Sequence, residues 1–201
     1  LPVQEQKIGI WHSCFPKVLN QARSWPGVLL PKELKWTADR AEALADARIV
    51  VLAVPTKFFR DTIAGFAGLI PPQATLVSVA KGLDATTSLR MTELAAQLLK
   101  RGPVAALSGP SHAEEVARNV PTAVVIACDD HEQAKKLQEI FMTPWFRPYT
   151  SDDVVGVELG GALKNIIAIG VGVSDGIGFG NNARAALITR GLAEMSRLGV
   201  A

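Results

Sequence analysis

Cysteine is almost missing from this 201-residue chain: Cys14 and Cys128 are the only two. Two thiols can build neither a disulfide framework nor a four-ligand zinc site. Histidine is as scarce, with three in all, so no metal centre is expected and a reducing, cytoplasmic setting fits best. An excess of one charge is lacking too. The net charge is +2, and Lys100-Arg101 and Lys135-Lys136 read as ordinary helix ends. Nucleic acid needs a clustered basic face, so no nucleic-acid partner is expected. The longest apolar-rich stretch, Val154 to Val173, is broken by Glu158, Lys164 and Asn165. Charges at mid-membrane depth are costly, so no membrane span is expected. Neither G-x-G-x-x-G nor G-x-x-x-x-G-K-[S/T] occurs, which leaves no dinucleotide or phosphate-loop fingerprint in the visible chain. There is no initiator Met and no charged-then-apolar opening, and the chain stops at Gly199-Val200-Ala201 just past a helix-like run. It reads as a piece of something longer.

What is present is an alternation of two periods. Short continuous apolar runs occupy 48–54, 74–80, 104–108 and 123–127, with weaker candidates at 7–11 and 146–149. Continuous rather than alternating runs are what strands covered on both faces require. Between them lie helix-period segments. Phe59, Thr62, Ile63 and Phe66 follow i, i+3, i+4, i+7, as do Met91, Leu94, Ala95 and Leu98, with Gly102 as a C′ residue. Ser111 to Glu114 reads as a capping box, and Glu132 to Met142 as a further helix. Strand and helix in turn predict a doubly wound α/β domain with a parallel sheet over residues 1–151.

From residue 152 the texture changes. Val154 to Val173 is one glycine-rich helical stretch, expected to be buried because small residues let another backbone approach. A loop over 174–180 and a helix from Asn182 to Leu198 follow. Residues 152–201 therefore read as the start of an all-helical domain.

In an open parallel sheet, ligands bind beyond the carboxyl ends of the strands. Lys81 leaves a strand just before Gly82, which puts an ammonium either in that crevice or in a surface turn. Gly109-Pro110-Ser111 leads into a helix N-terminus, where Ser111 is either the cap or a group facing a ligand. Lys164 and Asn165 are enclosed by apolar and small residues. A desolvated Lys164 has its charged form disfavoured and becomes suited to proton transfer; the alternative is a side chain that snorkels to the surface.

Several of these segments resemble one family. Val77 to Leu83, Leu107 to Glu115, Pro121 to Val124, Gly156 to Asn165, Ser174 to Gly180 and Asn182 to Met195 are similar, in order, to bacterial-type NAD(P)-dependent glycerol-3-phosphate dehydrogenase. The resemblance covers nearly the whole chain. It implies a Rossmann-like domain followed by a helical one. It also implies reduction of dihydroxyacetone phosphate to sn-glycerol 3-phosphate with NADPH or NADH, feeding phospholipid synthesis, in a homodimeric parent. Carried over by position, Lys164 resembles the proton donor and acceptor, and Lys81 the lysine that meets substrate and cofactor. Gly109, Ser111 and Asn165 match substrate-side positions. Phe58 and Ala113 match cofactor contacts, and His12 and Ser13 align loosely with a 2′-phosphate-side pair.

The chain departs from the family at both ends. It begins after the family's first strand and Gly-rich turn, and it stops before the later helices. Two other readings follow from the same residues: a related dehydrogenase of a 3-hydroxy acid or phosphogluconate, and a fragment without catalysis of its own.

Overall fold

The computed structural model describes residues 9–11, 24–25, 28–29 and 33–200. Its centre is a five-stranded sheet in the order β5-β6-β7-β8-β9: Ile49–Leu52, Thr75–Ser78, Val104–Ser108, Thr122–Ala127 and Phe146–Ser151. A separate parallel pair joins β1 (Gly9–Trp11) to β4 (Lys35–Thr37), and β2 (Ser24–Trp25) pairs antiparallel with β3 (Val28–Leu29).

Strands β6 to β8 are apolar without alternation because both of their faces are covered. Leu52, Leu76 and Val104 pack with Phe59, Ile63, Met91 and Leu94 on one side. Val77, Ala105, Leu107, Val124 and Ile126 pack with Ala134 and Leu137 on the other. These partners lie on α2 (Thr56–Ala64), α3 (Met91–Leu99) and α5 (His131–Phe141). Strand β5 is covered less well: Val51 remains 44% exposed, and among the described strands only β6 pairs with it.

Three of the four ladders in the large sheet are parallel, as the alternation predicts; β8 runs antiparallel to β7. The connection explains the reversal. Between β7 and β8 lies only α4, Ala113–Ala117, about 7–8 Å of helix. That is too little to carry the chain back along a strand of about 16 Å. The chain therefore turns at the end where β7 finishes, and β8 begins there.

Helix starts follow local chemistry. Asp39 accepts from the Ala41 and Glu42 amides to open α1 (Arg40–Leu44), and Asp130 does the same for Glu132 and Gln133 on α5. The Arg40 guanidinium lies over the Phe66 ring, 5.7 Å from its centroid, and holds α1 against the end of α2. At the other end of α3 the left-handed residue is Lys100 rather than a glycine; Gly102 lies past the cap.

The segment after β6 is pinned to α2. Asp84 is buried and accepts from Arg60 (2.6 Å) and from both the amide and the hydroxyl of Thr87 (2.9 and 2.6 Å). The Arg60 guanidinium first, and Thr87 second, hold its carboxyl well below the usual carboxylate range. A depressed pKa contributes stability above the unfolded value of about 3.9, and that contribution is lost as pH falls through the folded one. The stability difference between the protein and its Asp84→Asn variant, read from urea midpoints, is therefore expected to shrink below about pH 4. A difference that stays constant down to about pH 2 would contradict this.

The C-terminal residues form two long helices, α6 (Val154–Gly176) and α7 (Gly180–Val200), joined by a turn of only three residues. The expected burial of α6 does not hold. Only Val154, Glu158, Gly161 and Ser174 are buried, because sheet and α3 meet just its first two turns and α7 covers one side. Ile166, Ile169, Val173 and Ile177 are exposed. By length and composition α6 could cross a membrane; its start, however, is fixed into the α/β core through Glu158.

Candidate functional site

The carboxyl ends of β5, β6 and β7 lie side by side, since all three strands run parallel. Lys81 follows β6 by three residues, and Gly109 and Ser111 follow β7. The Lys81 ammonium donates to the Gly109 carbonyl at 2.9 Å and to the Ser111 hydroxyl at 3.4 Å. The Lys81 ammonium is thus tied to the segment that follows β7 rather than left free in a surface turn. Partial burial first, and the Lys164 ammonium second, push its pKa below the ordinary lysine value.

Gly109 makes this turn possible. Its φ of +151° lies in a region L side chains rarely enter, and a Cβ there would stand 2.9 Å from the Val124 Cα and 3.1 Å from the Ala123 carbonyl oxygen. The backbone bend frees its carbonyl for Lys81.

Ser111 is not the helix cap expected from its spacing to Glu114. Its amide donates to the Gly109 carbonyl at 2.9 Å, so the chain makes one more turn before α4 begins. His112 takes the cap position, with its Nδ1 2.7 Å from Glu114. The Ser111 hydroxyl is left facing Lys81 and Gly109.

Helix α6 supplies the far wall. Gly161 sits against the end of β7: a Cβ there would lie 2.6 Å from Ser108 Oγ and 3.7 Å from Lys81 Cγ. Lys164 follows three residues later, on the same side of the helix. It is exposed, and its ammonium donates to Asn165 Oδ1 at 2.8 Å. The enclosure read from its apolar neighbours is absent because those neighbours, Ile166 to Ile169, are largely exposed themselves. The desolvated lysine of the pair is Lys81.

Phe58, on the first turn of α2, is 56% exposed, with the Lys57 ammonium 5.6 Å from its ring centroid. Ala113 is exposed at the start of α4. His12 and Ser13 lie outside the described residues. Among the described residues no group of three or more metal-ligating side chains comes together.

Glu158, which the sequence shows only as a break in the apolar run, has a structural role. It is buried, accepting from Arg90 Nη1 at 2.8 Å, from the Thr92 amide at 3.0 Å and from the Thr92 hydroxyl at 2.5 Å. The signal available was a lone acid in an apolar helix, which needs a buried partner; which partner it finds is a tertiary matter.

A family model described as NAD-dependent glycerol-3-phosphate dehydrogenase N-terminus matches residues 17–134, and its C-terminal counterpart matches 153–201. The chain belongs to this family. Curated relatives agree with the glycerol-3-phosphate dehydrogenase assignment. The Pelotomaculum thermopropionicum protein named glycerol-3-phosphate dehydrogenase [NAD(P)+] is 52% identical over 180 residues, covering 87% of this chain and 51% of that protein. The Corynebacterium glutamicum protein of the same name is 51% identical over 176 residues, covering 87% of this chain and 53% of its own length. A crystal structure of glycerol-3-phosphate dehydrogenase from Coxiella burnetii superposes with a TM-score of 0.87 at 39% identity, over 96% of this chain and 61% of that one. The chain spans about half the length of the curated relatives it matches. Their names favour neither a 3-hydroxy acid nor a phosphogluconate dehydrogenase.

Proposed function

We propose that this chain contributes the strand-end face of an NAD(P)-dependent oxidoreductase that interconverts dihydroxyacetone phosphate and sn-glycerol 3-phosphate, with a domain boundary at residues 151–152. The observation that carries the reading is the lysine pair. One ammonium, on Lys81, is fixed by Gly109 and Ser111, and a second, on Lys164, follows about one helical turn after Gly161, which packs against Ser108 and the Lys81 side chain.

Lys81 cannot swing away without losing its carbonyl partner, so it is a stationary positive charge that attracts a phosphorylated substrate and favours charge growing on the carbonyl oxygen. Lys164 has no such anchor in the backbone, and its exposure suits proton exchange. In the reducing direction its N–H bond breaks as the new O–H bond forms on the substrate, leaving a neutral amine that water reprotonates. Ser111 and Asn165 offer hydroxyl and amide groups that orient the substrate's oxygens. A reduced nicotinamide, when bound, supplies the hydride to the carbonyl carbon. The residues present suit such a group: Phe58 presents an exposed ring beyond β5, and the Gly109 turn brings bare backbone to the crevice. Either NAD or NADP would serve, and the exposed Ala113 at the start of α4 would stand on the cofactor side.

The uncovered apolar side chains of α6 and α7 call for a covering surface, which the rest of a longer chain would supply as well as the second copy that the family resemblance implies. A cytoplasmic location is supported by the scarcity of cysteine, with Cys128 a free, buried thiol.

The test follows nicotinamide absorbance in the protein expressed from its own gene. Oxidation of NADH or NADPH is expected with dihydroxyacetone phosphate and not with dihydroxyacetone. Turnover confined to a carboxylated substrate would overturn the reading.

A further inference from the structure

We propose that Glu158 is a positioning residue: by clamping the start of α6 to Arg90 and Thr92 at the start of α3, it sets the rotation and height that seat Gly161 on Ser108 and hold Lys164 beside Lys81. This rests on the function proposed above and adds to it a residue that touches neither substrate nor cofactor.

The argument begins with what else holds α6 in place. Val154, with the partly buried Val157 beside it, packs on Ala106 and Ala127, apolar contacts that give little directional hold on a helix. Gly161 offers no side chain at all. Such contacts fix how closely α6 approaches the sheet, yet leave it free to slide or turn about its axis. Glu158 is different because hydrogen bonds are directional. Its Oε1 takes the Thr92 amide, while its Oε2 takes the Thr92 hydroxyl and Arg90. Arg90 is itself held: its other terminal nitrogen donates to Glu93 at 2.7 Å, and Glu93 accepts the Arg90 amide at 3.0 Å. The carboxylate thus caps α3 from outside, where unpaired amides favour an anion.

From Glu158 to Lys164 is six residues, about 9 Å along one rigid helix, so an error in rotation at the clamp moves the lysine with it. The clamp also has something to resist. Two ammoniums brought together repel each other, and no described side chain besides Asn165 is bonded to the Lys164 ammonium.

A residue important only for stability would not change how the two lysines feel each other, and that difference is measurable. The Lys81 titration midpoint is followed by NMR of isotopically methylated lysine in the protein, in Lys164→Met and in Glu158→Gln. Lys164→Met is expected to raise the midpoint, which defines the coupling. Glu158→Gln is expected to raise it by a large part of the same amount, and to lower kcat roughly 10²-fold, as a displacement of about 1 Å does, with KM for the nicotinamide little changed. If Glu158→Gln only lowers the melting temperature and leaves both midpoint and kcat as they were, the positioning role is wrong and the lysine pair stands. If Lys164→Met leaves the midpoint unmoved, the lysine pair itself fails, and the clamp has nothing to position. Should Glu158→Gln not fold, Arg90→Lys decides in the same way: it keeps the charge and the Thr92 bonds but loses the fork between Glu158 and Glu93.

Discussion

Lys164→Ala is expected to lower kcat for dihydroxyacetone phosphate reduction by roughly 10²–10⁴-fold, the range for loss of a general acid. The loss should fall on kcat, because Lys81 remains to attract the phosphorylated substrate. Stability should hardly change, since the Lys164 side chain is exposed and its ammonium bonds only to the neighbouring Asn165 among the described residues. The melting temperature is thus the control, and steady-state kinetics the readout. A second feature sharpens the expectation. Removing the Lys164 charge relieves Lys81, whose pKa that charge helps to depress, so the remaining activity should persist to higher pH than in the unaltered protein. Retained turnover in Lys164→Ala would remove this amine from the reaction and shift the acid's role to the partly desolvated Lys81.

Gly109→Ala is expected to cost about 2–5 kcal/mol of stability, combining backbone strain with overpacking. The added methyl would stand against the Val124 backbone and the Ala123 carbonyl, neither of which can rotate aside. For a domain of this size that corresponds to a melting temperature lower by roughly 5–15 °C. Because the Gly109 carbonyl also holds the Lys81 ammonium, any variant protein that still folds should bind phosphorylated substrate less tightly. Differential scanning calorimetry checks the first effect and KM the second. A variant as stable as the parent would mean that the loop relaxes without disturbing β8.

Both predictions depend on residues visible in the sequence, though visible to different degrees. Lys81 could be placed at a strand end because a buried apolar run stops at it and a glycine follows. Position in a parallel sheet is a local consequence of strand period and connection, and it survived intact. Lys164 was identified for a reason that did not survive. Apolar neighbours along a helix indicate burial only if another element covers them, and here the side bearing Ile166 and Ile169 is uncovered. What brings Lys164 to the site is the close approach of Gly161 to Ser108 and the hold of Glu158 on α3. Ser111 shows the opposite error. Its spacing to Glu114 satisfies a capping rule, but the strained Gly109 adds a turn and hands the cap to His112.

The chain by itself determined strands β5 to β9 and helices α2 to α7, because apolar period, capping residues and glycine or proline stops act within a few residues. Helix α1 and strand β4 went unread, and the loop expected over 174–180 is only a three-residue turn. It determined that β6 to β8 would be covered on both faces, and the segments bearing Lys81, Ser111 and Lys164 carry the resemblance to the family. Only the tertiary structure decided that β8 would reverse against β7, that Lys81 rather than Lys164 would be the desolvated amine, and that a buried carboxylate would join α6 to α3. Each of these depends on which surfaces meet across dozens of residues, from Arg90 to Glu158 in the last case, and no local period encodes that meeting.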